Sequence, residues 1–264
     1  MLLMYCRDMN LRAAIRAKLP VSLKNAFKDS GFNYFRLTLI EIRRKLIPNR
    51  HFGQTAEDVL INNYLPEKMG TYVDIGAGRP ISGSNTYGLY KRGWSGICVD
   101  PISFNCKMFR LFRSKDNVHN ILIGLEKNLI DFWEFEPYEY STADEEVAEK
   151  VIKVPGVRLL AKSPMRVLPL SEIVPSVSPL DPVLLSIDVE GFDLQVLKSN
   201  DWGKFRPRII CVEEWAAAFD EDQTSEIGTY LLAMNYQMRA WTGLSSLYLE
   251  KTYLAATKHW TDMK

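Results

Sequence analysis

Apolar positions along the chain follow two different periods. Between residues 11 and 46 they recur every three or four residues: Leu11, Ala14, Ile15 and Leu19, then Phe35, Leu39, Ile42 and Leu46. That spacing puts them on one side of a helix. It predicts a first segment with Arg12, Arg16 and Lys18 between its apolar positions. It predicts a second from Tyr34 to Leu46, ended by Pro48. A third helix is expected from Thr55 to Tyr64, with Thr55 as cap and Asp58 three residues on.

Beyond residue 70 the apolar runs become short and nearly continuous: TYVDIGAG (71–78), GICVDP (96–101), VHNILIG (118–124), PVLLSIDVEG (182–191) and RPRIICVEE (206–214). Helical stretches at 84–92, 103–113, 191–199 and 223–235 separate several of them. Strands apolar on both faces, alternating with helices, predict an α/β fold: a mainly parallel twisted sheet with helices on both faces. YQMRAWTG (236–243) and LSSLYLEK (244–251) meet at Thr242-Gly243, which predicts an antiparallel C-terminal hairpin at one edge. Residues 126–170 are aromatic and acidic, then punctuated by prolines, and are expected to give an insertion strand and a mobile loop over the sheet. The chain is thus divided into a helical extension, 1–50, and one α/β domain, 51–264.

Composition adds one thing to this division. The 264 residues are 47% hydrophobic, enough to bury a core without disulfide or metal staples. The net charge of +1 conceals a split. Residues 1–50 hold eleven Lys and Arg against Asp8, Asp29 and Glu41, a balance of +8, and the rest of the chain carries −7. The near-neutral total argues against nucleic acid as a partner. The basic arm suits anionic lipid heads (a peripheral membrane contact), a polyanionic glycan, a homo-oligomer interface or a solvated face. Cys6, Cys98, Cys106 and Cys211 form no metal-ligand spacing, and Cys98 and Cys211 lie in apolar strands, so reduced buried thiols are expected. The opening apolar run breaks at Arg7 and Asp8, too early for a secretory signal, and no window matches a membrane span. A cytoplasmic protein is expected.

Candidate chemistry gathers at the strand ends. Asp74-Ile75-Gly76-Ala77-Gly78 follows the first apolar strand, where glycines let a ligand approach the backbone. Arg79-Pro80-Ile81 stands where a dinucleotide fingerprint has its third glycine, and Pro80 lacks an amide donor. Asp100, followed by Pro101, lies 22 residues after Gly78 at the end of the next strand, placed to accept bonds from ribose hydroxyls. A carboxylate at Asp74 repels a pyrophosphate but suits a cationic sulfonium. These features favour S-adenosylmethionine over NAD, with two ordinary strand ends as the plain alternative.

These residues resemble the FkbM-type family of class I, Rossmann-like, S-adenosylmethionine-dependent methyltransferases. The likeness runs from FGQTAED (52–58) through YVDIGAG (72–78), GICVDP (96–101) and SIDVEGFDLQVLKSNDW (186–202) to IICVEE (209–214), and covers roughly residues 50–240. Phe52-Gly53, Ala56 and Arg79-Pro80 depart from the family pattern. The resemblance implies that Gly76, Ala77 and Gly78 lie under the methionine portion and that Asp100 and Pro101 flank the ribose. It implies that Gln54 and Glu57 close the pocket and that Gly124 and Leu125 approach adenine. It also implies O-methylation of a sugar-bearing or polyketide-like small molecule or a glycan. A non-catalytic nucleotide-binding or assembly protein and an NAD-dependent oxidoreductase are the alternatives.

Asp188, Glu190, Glu213 and Glu214 end the fourth and fifth strands, the edge where open α/β sheets bind ligands. Asp188 or Glu190 is the candidate general base or orienting group. Asp188, Glu213 and Glu214 are the candidate ligands for Mg²⁺, an oxygen-seeking ion. The plain alternative has Glu190 and Glu214 capping helices or pairing with Arg206 and Arg208. His51, His119 and His259 show no ligand spacing. Trp133, Phe135, Tyr138 and Tyr140 either line an acceptor site or pack internally.

Overall fold

The computed structural model describes residues 30–46, 51–215 and 225–257. The predicted helix over 11–19, Cys6 and His259 lie outside them. The chain divides into two units, residues 1–48 and 49–264. In the first, α1 spans Ser30–Leu46 and ends on Arg43, Arg44 and Lys45, cations that suit the negative end of the helix dipole.

The second unit opens with α2, Glu57–Tyr64, two residues later than expected. Thr55 is not its cap. The residue before the helix is Ala56, in the left-handed region at φ 66°, and no side chain caps it. The Thr55 hydroxyl donates instead to Glu57, while Asp58 reaches back to the amides of Phe52 (2.8 Å) and Gly53 (3.2 Å). Asp58 therefore ties down the loop in front of the helix that it was expected to cap.

The elements that follow are β1 (Thr71–Ile75), α3 (Tyr87–Lys91), β2 (Ser95–Val99), α4 (Ser103–Phe112) and β3 (Asn117–His119). Next come β4 (Leu122–Ile123), β5 (Asn128–Glu136), α5 (Glu145–Val151), β6 (Arg158–Leu168), β7 (Val183–Ile187) and α6 (Asp193–Lys198). The unit closes with β8 (Ile209–Glu213), α7 (Glu226–Ala233), β9 (Tyr236–Trp241), β10 (Ser245–Glu250) and α8 (Lys251–Thr257). Seven strands form one sheet in the order β3-β2-β1-β7-β8-β10-β9. Its first five strands are parallel, and β10 and β9 complete it antiparallel, as the hairpin pattern predicted.

Strand alternation explains the layering. Val73, Ile75, Leu185, Ile187, Ile210 and Val212 pack in one core, and Tyr72, Cys98, Leu184, Ile209, Cys211 and Leu247 in the other. Successive side chains point to opposite faces, so a strand buried on both sides reads as a continuous apolar run. The chain runs outward from β1 to β3 and returns to β7 on the other side of β1. That reversal opens a crevice at the carboxyl ends of β1 and β7. This is the Rossmann-like α/β fold.

Two expectations are corrected. The run 118–124 is not one strand: it breaks at Asn120, whose side chain donates to the carbonyls of Asp100 (3.0 Å) and Pro101 (2.7 Å). Residues 126–170 are also more regular than a loop. β5 and β6 pair antiparallel, and β4 joins β6 to make a second, three-stranded sheet. Trp133 and Phe135 are buried with Ala148 and Val151 in its own small core, so they pack internally. Among the described residues no helix is long and apolar enough to cross a membrane.

Candidate active site

The glycine turn sits at the mouth of the crevice. Gly76 has φ +74°, and a Cβ there would stand 1.8 Å from the Asp188 carbonyl oxygen. No other residue lets β1 pass so close to the end of β7. The amides of Gly76 and Ala77 donate to Val99 O (2.9 and 3.0 Å), and Asp188 N donates to Ile75 O (3.0 Å). These bonds lock the ends of β1, β2 and β7 together. Gly78, at φ +59°, faces open space, with the nearest atom 3.9 Å from an added Cβ.

Asp100 faces this turn. Its Oδ2 accepts from Gly78 N (2.8 Å), and its Oδ1 accepts from Ile102 N (2.8 Å) and Asn105 Nδ2 (3.2 Å). Burial pushes its carboxyl up to about 7, against the pull of these donors. Oδ2 thus keeps acceptor capacity beside the open face of Gly78. Such an acceptor fits the hydroxyl-bearing part of a nucleoside. Pro101 continues the chain into the loop before α4, where Asn120 holds its carbonyl.

Asp74 plays a different part from the one expected. It is buried and accepts from Thr86 Oγ1 (2.6 Å) and from the Ser186 hydroxyl. Burial raises its pKa, and the cation that opposes this is Arg113. Arg113, fully buried, pairs with Asp116 (2.7 Å) and donates to Ser84, Thr86 and the Pro80 carbonyl. Sequence reasoning missed this network. A charged residue closing a helix ordinarily points to water, and only the spacing Arg113 to Asp116 hinted at a pair.

The acids at the ends of β7 and β8 separate. Asp188, Glu190 and Glu213 each bring a carboxylate oxygen within 4.8 Å of the others. Glu214 does not join them. It follows Glu213 by one residue, so it points to the opposite face. There it accepts from Tyr248 (2.7 Å) and Ser225. Nor do Arg206 and Arg208 pair with Glu190 or Glu214: Arg206 bonds Glu250 and Arg208 bonds Glu67. Burial raises Asp188 well above the usual carboxylate range, and Glu213, Glu190 and Asp193 add to it. Asp188 shares a hydrogen bond with Glu213, which burial and the neighbouring acids push up to about 7. Burial, Asp193 and Glu139 raise Glu190, which sits at the exposed rim at φ +52°.

Gln54 and Glu57 line a small cleft together with Asn85, Asp188, Glu213 and Ser245. They therefore stand beside the acids. Gly124 and Leu125 lie by the second sheet, where Gly124 N donates to Leu168 O (3.1 Å). Two indoles mark the outer rim. Trp215 donates to the Glu213 carboxylate and Trp241 Nε1 to the Glu214 carbonyl (2.9 Å), and both rings are about half exposed.

A Rossmann-like sheet with a glycine turn at its topological switch is an architecture that binds nucleotide cofactors. The methyltransferase FkbM domain matches residues 74–238, so the chain belongs to the FkbM family of S-adenosylmethionine-dependent methyltransferases. No curated protein matches the chain. Among solved structures it is similar to a TehB-like SAM-dependent methyltransferase from Corynebacterium glutamicum, at 11% identity and TM-score 0.40, covering 84% of this chain and 100% of that one. It is also similar to a protein from Klebsiella pneumoniae described as an O-methyltransferase, at 8% identity and TM-score 0.36, covering 90% and 94%.

Proposed function

We propose that the protein methylates a hydroxyl of a sugar-bearing or polyketide-like small molecule or a glycan. The observation that carries this reading is the meeting of Asp188, Glu190 and Glu213 beside the crevice, with raised proton affinities. When bound, S-adenosylmethionine supplies an electrophilic methyl on a sulfonium leaving group. Gly76, Ala77, Gly78 and Asp100 are the residues to hold it. A hydroxyl acceptor loses a proton as its oxygen bonds the methyl carbon, and a carboxylate is needed to take it. Glu213, at about 7, is in part ionised at neutral pH and can accept that proton. Asp188 and Glu213 share a hydrogen bond, which holds the two carboxyls in place against each other. The half-exposed faces of Trp215 and Trp241 offer apolar contact to a ring-bearing acceptor.

Calorimetry tests the cofactor: micromolar binding of S-adenosylhomocysteine, without binding of NADH, is expected. Binding of NADH alone sinks the reading. With an acceptor in hand, activity rises with pH through about 7 as Glu213 ionises, and Glu213→Gln removes that rise.

A second reading has one observation of its own. Three carboxylate oxygens within 4.8 Å are a donor set of the kind hard divalent ions take. Under it Asp188, Glu190 and Glu213, rather than Glu214, hold Mg²⁺. Loss of activity in a chelator, restored by Mg²⁺, favours this reading, and unchanged activity removes it.

A further inference from the structure

Between the glycine turn and α3 the chain runs from Arg79 to Thr86 with no helix or strand. Such a segment has no ladder for its backbone groups, so its shape depends on outside partners. One side chain meets it at three points. Arg113, fully buried where α4 ends, donates from Nη1 to the Pro80 carbonyl (3.3 Å) and Ser84 Oγ (3.2 Å), and from Nη2 to Thr86 Oγ1 (3.0 Å). A guanidinium only donates, through a rigid planar fork. The Thr86 hydroxyl therefore accepts from Arg113 and gives its own hydrogen to Asp74 Oδ2 (2.6 Å). Ser84 Oγ also accepts from the amides of Thr86 (3.3 Å) and Tyr87 (3.2 Å), where α3 begins.

The segment held in this way carries part of the crevice wall. Asn85 stands between Ser84 and Thr86 and lines the cleft with Gly83, Asp188 and Glu213. Its Nδ2 donates to Ser186 Oγ on β7 (3.4 Å), while Gly83 N donates to Phe52 O (2.9 Å) in the loop before α2. The guanidinium is itself anchored. Its Nε donates to Asp116 Oδ2 (2.7 Å), and Asp116 Oδ1 accepts from the Tyr72 hydroxyl on β1 (2.6 Å) and from Gly96 N on β2 (3.1 Å). Arg113 is thus fixed to the sheet by one nitrogen and holds the irregular segment with the other two.

We propose that Arg113 is a positioning residue for cofactor binding: acting through Ser84 and Thr86, it holds residues 80–86 in the shape that places Asn85 in the wall of the crevice. The proposal rests on the reading of this crevice as the cofactor site. A guanidinium buried in a sheet-and-helix core costs free energy unless its donors are satisfied. Here three of its bonds go to a segment beside the glycine turn rather than to a helix or strand. A binding segment left loose must be ordered when the ligand arrives, which lowers affinity, and a strut in the free protein removes that loss.

The test uses the full chain, with S-adenosylhomocysteine as the probe in calorimetry. Thr86→Val keeps the shape of the side chain and removes the hydroxyl that Arg113 holds. It is expected to bind the probe about tenfold more weakly, because the segment must then be ordered on binding. Thr86→Ser, which restores the hydroxyl, should recover the affinity. Tyr72→Phe is the control: it breaks the bond to Asp116 in the same buried network, keeps the ring beside Arg113, and touches nothing in residues 80–86. It should lower the melting temperature and leave the affinity unchanged. In the ligand-free protein, hydrogen exchange of the amides of Gly83, Thr86 and Tyr87 should quicken in Thr86→Val and not in Tyr72→Phe. Arg113→Lys keeps the charge and loses the fork, and in that background Thr86→Val should weaken binding little further, since both changes break one contact. Equal affinities for wild type and Thr86→Val overturn the proposal alone. So does an equal loss in Thr86→Val and Tyr72→Phe, the mark of a general loss of stability. Failure of the wild type to bind the probe overturns the cofactor reading, and the proposal with it.

Discussion

Single residues at the crevice hold states that cost stability. Asp188 is the clearest case, since its carboxyl is raised by burial and by three neighbouring acids. A group whose pKa is raised in the folded state binds more protons there than in the unfolded chain. Stability then falls as pH rises above the ordinary carboxylate range. Asp188→Asn mimics the protonated form and has no proton to lose. It is expected to raise the melting temperature at pH 8 by more than at pH 5, and thermal unfolding at the two pH values checks this. An equal shift at both values removes the electrostatic explanation. Gly76 is the other residue whose identity is dictated locally. Its φ of +74°, and an Asp188 carbonyl oxygen that would lie 1.8 Å from any Cβ at this position, leave no room for a side chain. Gly76→Ala should cost about 3 kcal/mol or more, read by urea unfolding, because backbone strain and overpacking add.

Elements show what was legible in the sequence. Parallel strands buried on both faces could be read from their apolar runs, as in β7 and its five buried residues, whereas the run around β3, a strand exposed or half-buried throughout, is longer than the strand itself. The second sheet could not be read. In β6 only Val167 and Leu168 of eleven residues are buried, so the strand carries no core-facing pattern. The start of α2 was hidden for another reason: Ala56 enters the helix through a left-handed conformation that nothing in its side chain announces. The divergence of Glu213 and Glu214, by contrast, follows from the strand period of two and was open to a reading of the sequence alone. The Arg113 network, which joins the end of α4 to β1 and β2, depends on contacts 15–33 residues apart that no local pattern carries. Its energetics still follow from its burial. Arg113 and Asp116 are both fully buried as a pair. Arg113→Met leaves Asp116 and Asp74 without their cation and should cost about 3–5 kcal/mol in chemical denaturation. A smaller cost from the further change of Asp116→Asn in the same chain would confirm that the unpaired charge, not lost packing, is responsible.

The whole molecule separates its charges along the chain. The near-zero total is the sum of a +8 segment over residues 1–50 and a −7 remainder. In the second unit five of the acids with raised proton affinity stand at strand ends, Asp74, Asp100, Asp188, Glu190 and Glu213, and two, Asp58 and Asp193, in the first turns of helices. The basic segment precedes the FkbM match, which begins at residue 74 and so does not reach it. Its apolar and cationic positions alternate at helical spacing, the arrangement that lets a helix lie on an anionic surface. If a lipid surface is its partner, the full chain will sediment with vesicles containing phosphatidylserine and will be released by salt. Each cation near such a surface contributes about 1 kcal/mol. Replacing Arg12, Arg16 and Lys18 with Gln should then weaken vesicle binding by about a hundredfold. S-adenosylhomocysteine affinity, measured on the same variant, separates a loss of vesicle binding from a loss of the fold. Binding that survives both the substitutions and high salt would assign the segment's apolar positions, not its charge, to the contact. No vesicle binding by the full chain would remove the lipid reading and leave a protein interface as the use of those apolar positions.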